Sequence, residues 1–158
     1  LTLCEWWNDG RVMAHAGFPN GLGTNPSQVA LQLSHDTDDT QRHLIIETNN
    51  IPIGEMNYKN KGNGIAELGI KICDFSKQEK GYGKQFLSML ISVLFEKVKY
   101  SKIVLDTNLK NRRAQHVYEE LGFRKLRTNI NSWKNQLGEL QSSVDYELQK
   151  DDFVNFTK

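Results

Sequence analysis

Cysteine, proline and histidine are scarce in this 158-residue chain, with two, three and four copies. Cys4 and Cys73 lie far apart and form no Cys-x-x-Cys pair, which reads as a reduced, cytoplasmic protein. His15, His35, His43 and His116 show no His-x-x-x-His spacing, so no zinc or other metal site is expected. Charge of one sign is also missing: 20 Lys and Arg face 19 Asp and Glu, without a polybasic run. A nucleic-acid partner is therefore not expected. No apolar run approaches the roughly 20 residues of a membrane span, so no membrane partner is expected either. The opening Leu1-Thr2-Leu3-Cys4 is too short, and too soon followed by Glu5 and Asn8, for a signal peptide. There is no initiator Met, so residues are expected to precede it. Repeats, linkers and low-complexity segments are absent, and the length suits one domain with a core of its own.

What is present centres on Gln78-Glu79-Lys80-Gly81-Tyr82-Gly83, between a strand-like run (65–73) and a helix-like run (84–100). Glycines at such a junction let the backbone approach a ligand closely. A helix that starts there aims unpaired N–H groups and its positive dipole end at the turn, which makes a phosphate-binding device. Two common phosphate motifs fail. The P-loop needs Ser or Thr after Gly-Lys, and Gly83-Lys84 is followed by Gln85. The dinucleotide fingerprint needs a glycine where Phe86 stands. The pattern that remains is Gln-x-x-Gly-x-Gly.

Periodicity places the other elements. A first helix is expected over 3–12, and a second from an Asn25 cap with Pro26 at its first position to about Ser34. Three strands follow, 43–48, 51–59 and 65–73, as an antiparallel meander with a tight turn at Asn49-Asn50. After the 84–100 helix come a short strand, 103–105, and a helix lined by Ala114, Val117, Tyr118 and Leu121 that stops at Gly122. Strands over 123–128 and 143–149 close the fold, with Trp133 in the loop between them. The class is α/β (α+β): a mixed, mostly antiparallel central sheet with flanking helices.

The hexapeptide, followed some 30 residues on by Asn111-Arg112-Arg113-Ala114-Gln115-His116-Val117-Tyr118-Glu119-Glu120-Leu121-Gly122-Phe123, resembles the GNAT superfamily of acyl-CoA-dependent N-acetyltransferases. The resemblance covers roughly residues 40 to 150. The nearer resemblance is to the ribosomal-protein N-terminal (Rim-type) group. It rests on Trp7-Asn8-Asp9 with Val12-Met13, on Glu67-Leu68-Gly69-Ile70, and on Trp133 with Asp145-Tyr146. That group normally opens with one more strand, expected here upstream of residue 1.

The resemblance implies the GNAT acyl-CoA N-acyltransferase fold and acetyl-CoA as cosubstrate. The amides of Gln78, Glu79, Lys80, Gly81, Tyr82, Gly83 and Lys84 would hold its pyrophosphate. The backbones of Ile70, Ile72 and Cys73 would pair with the pantetheine arm like an added strand, and Asn111 would bond it from the other side. Tyr118 would be the acid at the departing thiolate, and Glu67 the base for the amine, with Glu55 as the other candidate. An N–H near Ile72 would polarise the thioester carbonyl. Each has a plainer reading. Asn111 suits a helix cap, Tyr118 a core aromatic, Glu67 a solvated strand position and Cys73 a small strand residue. Lys80, Lys84, Arg112 and Arg113 suit a solvated rim, and Trp6 and Trp7 a core or an acceptor-pocket wall.

The expected partner besides acetyl-CoA is a primary amine. A protein N-terminus leads, with small amines (a polyamine, an amino acid or an aminoglycoside) as the alternative. Asp36, Asp38, Asp39 and Glu139 are too scattered to form a polycation pocket. The rival of another class is a non-catalytic acyl-CoA-binding module. Monomer and homodimer both remain open, an edge strand at 143–149 being the place where two copies would pair.

Overall fold

A hairpin with two left-handed residues opens the sheet. Asn49 and Asn50, at φ 52° and 63°, join β1 (Gln41–Thr48) to β2 (Ile51–Gly62). Asparagine tolerates that region better than other non-glycine residues, and this turn matches the twist of the flanking strands. β2 folds back at Asn63-Gly64 into β3 (Ile65–Ile72), completing the expected meander. The computed structural model describes residues 1–157.

Helix α4 (Tyr82–Glu96) carries the chain from β3 across to β4 (Lys102–Asn108), which pairs with β3 in parallel. Helix α5 (Arg112–Glu120), β5 (Arg124–Lys134) and β6 (Leu140–Gln149) complete a six-stranded sheet of order β1-β2-β3-β4-β6-β5. All its other pairings are antiparallel. The β3–β4 ladder is short. It joins Ile65 to Lys102, Ala66 to Ile103 and Glu67 to Val104, and then stops while both strands run on. The sheet therefore parts after Glu67, and each side of the split keeps a strand edge without a partner strand.

Two hydrophobic clusters hold the fold. In the larger, α4 buries Leu87, Leu90, Ile91, Leu94 and Phe95 against Met56, Tyr58, Ala66, Leu68, Ile103 and Leu105. The smaller consists of Leu3, Cys4, Trp7, Met13 and Val29, from the short helices α1 (Thr2–Asn8) and α2 (Gly10–Met13) and from α3 (Pro26–Leu33). Neighbouring strand residues point to opposite faces. Met56 belongs to the large cluster while Glu55 meets Trp7, so the N-terminal helices cover the face opposite α4.

Several boundaries differ from expectation. The first helix breaks at Asp9, whose ψ of 112° is extended and whose side chain accepts from the Arg11 amide at 2.8 Å. The long helix ends at Glu96, and the chain turns through Lys99 at φ 73°. Trp133 lies in β5, not in a loop. That strand is bulged between Lys125 and Arg127 and again between Asn129 and Trp133, which scrambles its alternation. The 143–149 segment belongs to β6, an interior strand between β4 and β5, so it is no edge. On that side the edge is β5. Gly122, at φ 102°, does end α5, and an added Cβ there would meet the Asp152 carbonyl oxygen at 2.0 Å.

Candidate active site

The glycine turn is a loop with almost no bonds of its own. Cys73 and Asp74 both donate their amides to Ile53 O, at 2.7 and 2.9 Å, and a one-turn 3-10 helix (Phe75–Lys77) follows. The Gln78 amide is spent on Phe75 O at 3.3 Å. Glu79 (φ 60°) and Gly81 (φ 80°) then turn the chain through the left-handed region into α4, whose first bond is Gln85 N to Gly81 O. Among the described residues the amides of Glu79, Lys80, Gly81, Tyr82, Gly83 and Lys84 donate to nothing. Six free N–H groups at the start of a 15-residue helix are an arrangement suited to an anion, one residue shorter than the set the resemblance implied. Gln78 leaves the amide set. A Cβ on Gly81 would meet nothing within 4 Å, so the glycine serves its backbone angle. Lys80 is exposed, while Lys84 bonds Glu120 at 3.0 Å and lies 4.3 Å from the Phe156 ring centre.

The open edge of β3 has a definite register. Cys73 turns its amide toward β2. By alternation Ile70 and Ile72 turn theirs away from β2, toward the side β4 has left. Ile72 O duly points there and accepts from Gln78 Nε2 at 2.9 Å. Cys73 is thus a correction: its amide is used within the sheet. Its thiol is buried and pushed up to about 12, first by burial and then by the Glu55 charge. A thiol held protonated in this way is no nucleophile.

A cavity of about 1150 Å³ fills the split. Its lining includes Ile70, Ile72, Gly81, Gly83 and Asn111, and also Arg11, Val12, His15 and Trp133. Asn111 caps α5 by accepting from the Ala114 amide at 3.3 Å, so it is a cap and a cavity residue at once. Tyr118, Glu67 and Asp106 all line this space. The Tyr118 ring is fixed edge-on by Phe123 and Tyr146, with centroids 5.8 and 5.9 Å away. Its hydroxyl bonds no other described residue, and among the described residues no buried polar side-chain atom lacks a partner, so it is open to the cavity. Burial, then the charge of Asp106, raises its pKa, so the phenol keeps its proton at neutral pH.

Glu67 stands at the last position of β3 that pairs with β4, 41% exposed at its side chain, with Lys61 Nζ 3.8 Å away. Asp106 is the residue that sequence reasoning missed, because β4 was read as ending at Leu105. Burial, then the charges of Glu67 and Asp145, raises its carboxyl above the ordinary 3.8. Glu55, the other base candidate, is 2% exposed and accepts from Trp7 Nε1 at 2.7 Å, with Lys71 Nζ 3.7 Å away. It lines a smaller cavity of about 210 Å³ that shares Asn57 and Lys71 with the larger one. Trp7 is its partner and a core residue. Gln136 ties the β5–β6 turn to the segment after α2. It donates its amide to Gly17 O at 2.7 Å and Nε2 to Gly21 O at 2.9 Å, and accepts from Asn20 N at 2.9 Å. Trp133 packs so tightly on Gly17 that a Cβ there would lie 2.5 Å from its ring.

Comparison with known proteins agrees with this geometry. Residues 1–124 match the family model described as an acetyltransferase (GNAT) domain. No curated protein sequence matches. Among solved structures, a probable acetyltransferase superposes with a TM-score of 0.82 at 20% identity, over 96% of this chain and 88% of its own. Spermidine N-acetyltransferase from Vibrio cholerae, in complex with CoA and spermine, gives 0.80 at 19% identity, over 96% and 89%. Ribosomal-protein-alanine N-acetyltransferase from Brucella melitensis gives 0.79 at 16%, over 94% and 92%. At these identities the superpositions speak for the fold. With the family model covering most of the sequence, the split sheet, the free amides and the lone tyrosine hydroxyl belong to a member of the GNAT acetyltransferase family.

Proposed function

We propose that the protein moves an acetyl group from acetyl-CoA to a primary amine by direct attack, and that the acceptor is a protein N-terminus. The observation that carries the reading is the meeting, in one cavity, of an unpartnered tyrosine hydroxyl, two carboxylates and a row of free amides. Acetyl-CoA supplies an activated acyl group. The amides of residues 79–84 bind its pyrophosphate, and the β3 edge at Ile70 and Ile72 pairs with the pantetheine arm, with Asn111 opposite. A solved neighbour in complex with CoA supports this choice of cosubstrate.

Glu67 and Asp106 draw the ammonium into the split, and Glu67 removes its proton through water, leaving a neutral amine to attack. An N–H at the β3 edge near Ile72 polarises the thioester carbonyl. Tyr118 gives its proton to the departing thiolate. No covalent enzyme intermediate is required, which fits the inert Cys73 thiol.

Wall chemistry favours an N-terminus over a polycation. Four carboxylates line the cavity, but Glu79 and Glu120 are engaged by Arg113 and Lys84, which leaves Glu67 and Asp106 for one ammonium. Arg11 and Lys71 in the same wall are paired with Asp9 and Glu55. His15 is held below its ordinary value, first by burial and then by Arg113 and Lys110, so its ring is neutral at neutral pH and adds no charge to the wall. The Rim-type resemblance and the ribosomal-protein-alanine neighbour support the same acceptor class.

The test is free-thiol release from acetyl-CoA against N-terminal peptides, polyamines, amino acids and aminoglycosides. Turnover is expected on peptides. Turnover confined to small amines would move the acceptor to that class. CoA binding without turnover on any of them would favour an acyl-CoA-binding module.

A further inference from the structure

The loop that carries the free amides is held from outside. Glu79 and Gly81 occupy the left-handed region, and the six N–H groups of residues 79–84 have no acceptor among the described residues. Converging dipoles of one sign disfavour such a conformation until an anion arrives. Preorganisation therefore has to come from neighbouring elements.

Gln78 supplies it with both ends of one carboxamide. Its Nε2 donates to Ile72 O on the open edge of β3 at 2.9 Å, and its Oε1 accepts from Arg113 Nη1 at 2.5 Å. Arg113 also sets Nε 3.8 Å from Glu79 Oε1, so its guanidinium spans two consecutive loop residues. Arg113 sits in the first turn of α5, the helix that Asn111 caps and that carries Tyr118. The chain Ile72–Gln78–Arg113 thus crosses the split from the β3 side to the α5 side.

We propose that Arg113 is a positioning residue that, through Gln78, fixes the amide loop against the β3 edge and in register with α5. This rests on the reading that the loop takes the pyrophosphate of a CoA thioester. It assigns Arg113 a role other than phosphate ligand or solvated rim. The guanidinium fork suits the task, because a lysine ammonium offers a point charge without the two-pronged geometry.

The experiment is titration of CoA into the wild type, Arg113→Ala, Gln78→Ala, the double variant and Arg113→Lys, with steady-state kinetics and thermal melts on each. Each alanine variant is expected to weaken CoA binding and raise the acetyl-CoA KM about tenfold, the scale of a hydrogen bond to a charged group. The kcat at saturating acetyl-CoA should stay within about twofold, and the melts should stay close to wild type. The double variant should lose no more than the worse single one, because both break the same chain. Arg113→Lys should restore only part of the loss. Additive losses, or full rescue by lysine, would mean that Arg113 meets the phosphates directly as a charge and would overturn the proposal. Wild-type binding with Arg113→Ala unchanged would overturn it alone, whereas a wild type that fails to bind CoA would remove the functional reading as well.

Discussion

Tyr118→Phe is expected to lower turnover at least ~10-fold, within the range for general acid–base catalysis, while CoA binding survives. The substitution is well isolated physically. The ring keeps its edge-on contacts with Phe123 and Tyr146, so packing is unchanged. The hydroxyl bonds no other described residue, so removing it leaves no protein group unpaired and should cost little stability. Its raised pKa means that the phenol remains a proton donor throughout the neutral range. Calorimetric titration with CoA and a thiol-release assay on the same preparation check both halves. Unchanged turnover would take Tyr118 out of the mechanism.

The two carboxylates should separate in a paired experiment. Glu67→Gln is expected to cut turnover by about 10²-fold by removing the base. Asp106→Asn is expected to act mainly on acceptor KM, by removing half of the attraction for the ammonium. It should also leave a mark on stability. The folded-state pKa of Asp106 lies above 3.8, so the native protein prefers this group protonated. Its stabilising contribution is complete below that value and is lost as pH rises through the folded pKa. At neutral pH the ionised group therefore costs stability, and the asparagine substitution should relieve that cost. Urea melts of the two proteins at acidic and neutral pH should show the variant gaining only at the higher pH. If Asp106→Asn abolished turnover and Glu67→Gln spared it, the base assignment would be reversed.

The sequence made legible those features that repeat or punctuate. The β1–β2–β3 meander, α4 and α5 follow from apolar spacing and turn residues, and the glycine turn marks the row of free amides. Asp106 was hidden because its importance depends on where β3 and β4 part. That is a property of two strands distant in sequence, and β4 shows only three clearly apolar residues. The bulges of β5 hid its length and the position of Trp133. Cys73 was misplaced by its own register: a strand residue faces its partner or the opening according to parity, and Ile53 O takes this amide. Nothing local in the sequence reveals that Trp7, 48 positions earlier in the chain, holds Glu55.

The two hydrophobic clusters have a consequence for how the site comes apart. Segments open in cooperative units whose free energy follows their buried apolar contacts. The cofactor side rests on α4 and the main cluster. The N-terminal wall of the cavity rests on five buried side chains, one tryptophan–glutamate bond and the Gln136 clasp. Under the proposed function, selectivity for the amine and grip on the acyl donor are stabilised separately. On warming, the N-terminal helices should exchange their amide hydrogens first, and the enzyme should become indiscriminate toward amines while it still holds CoA.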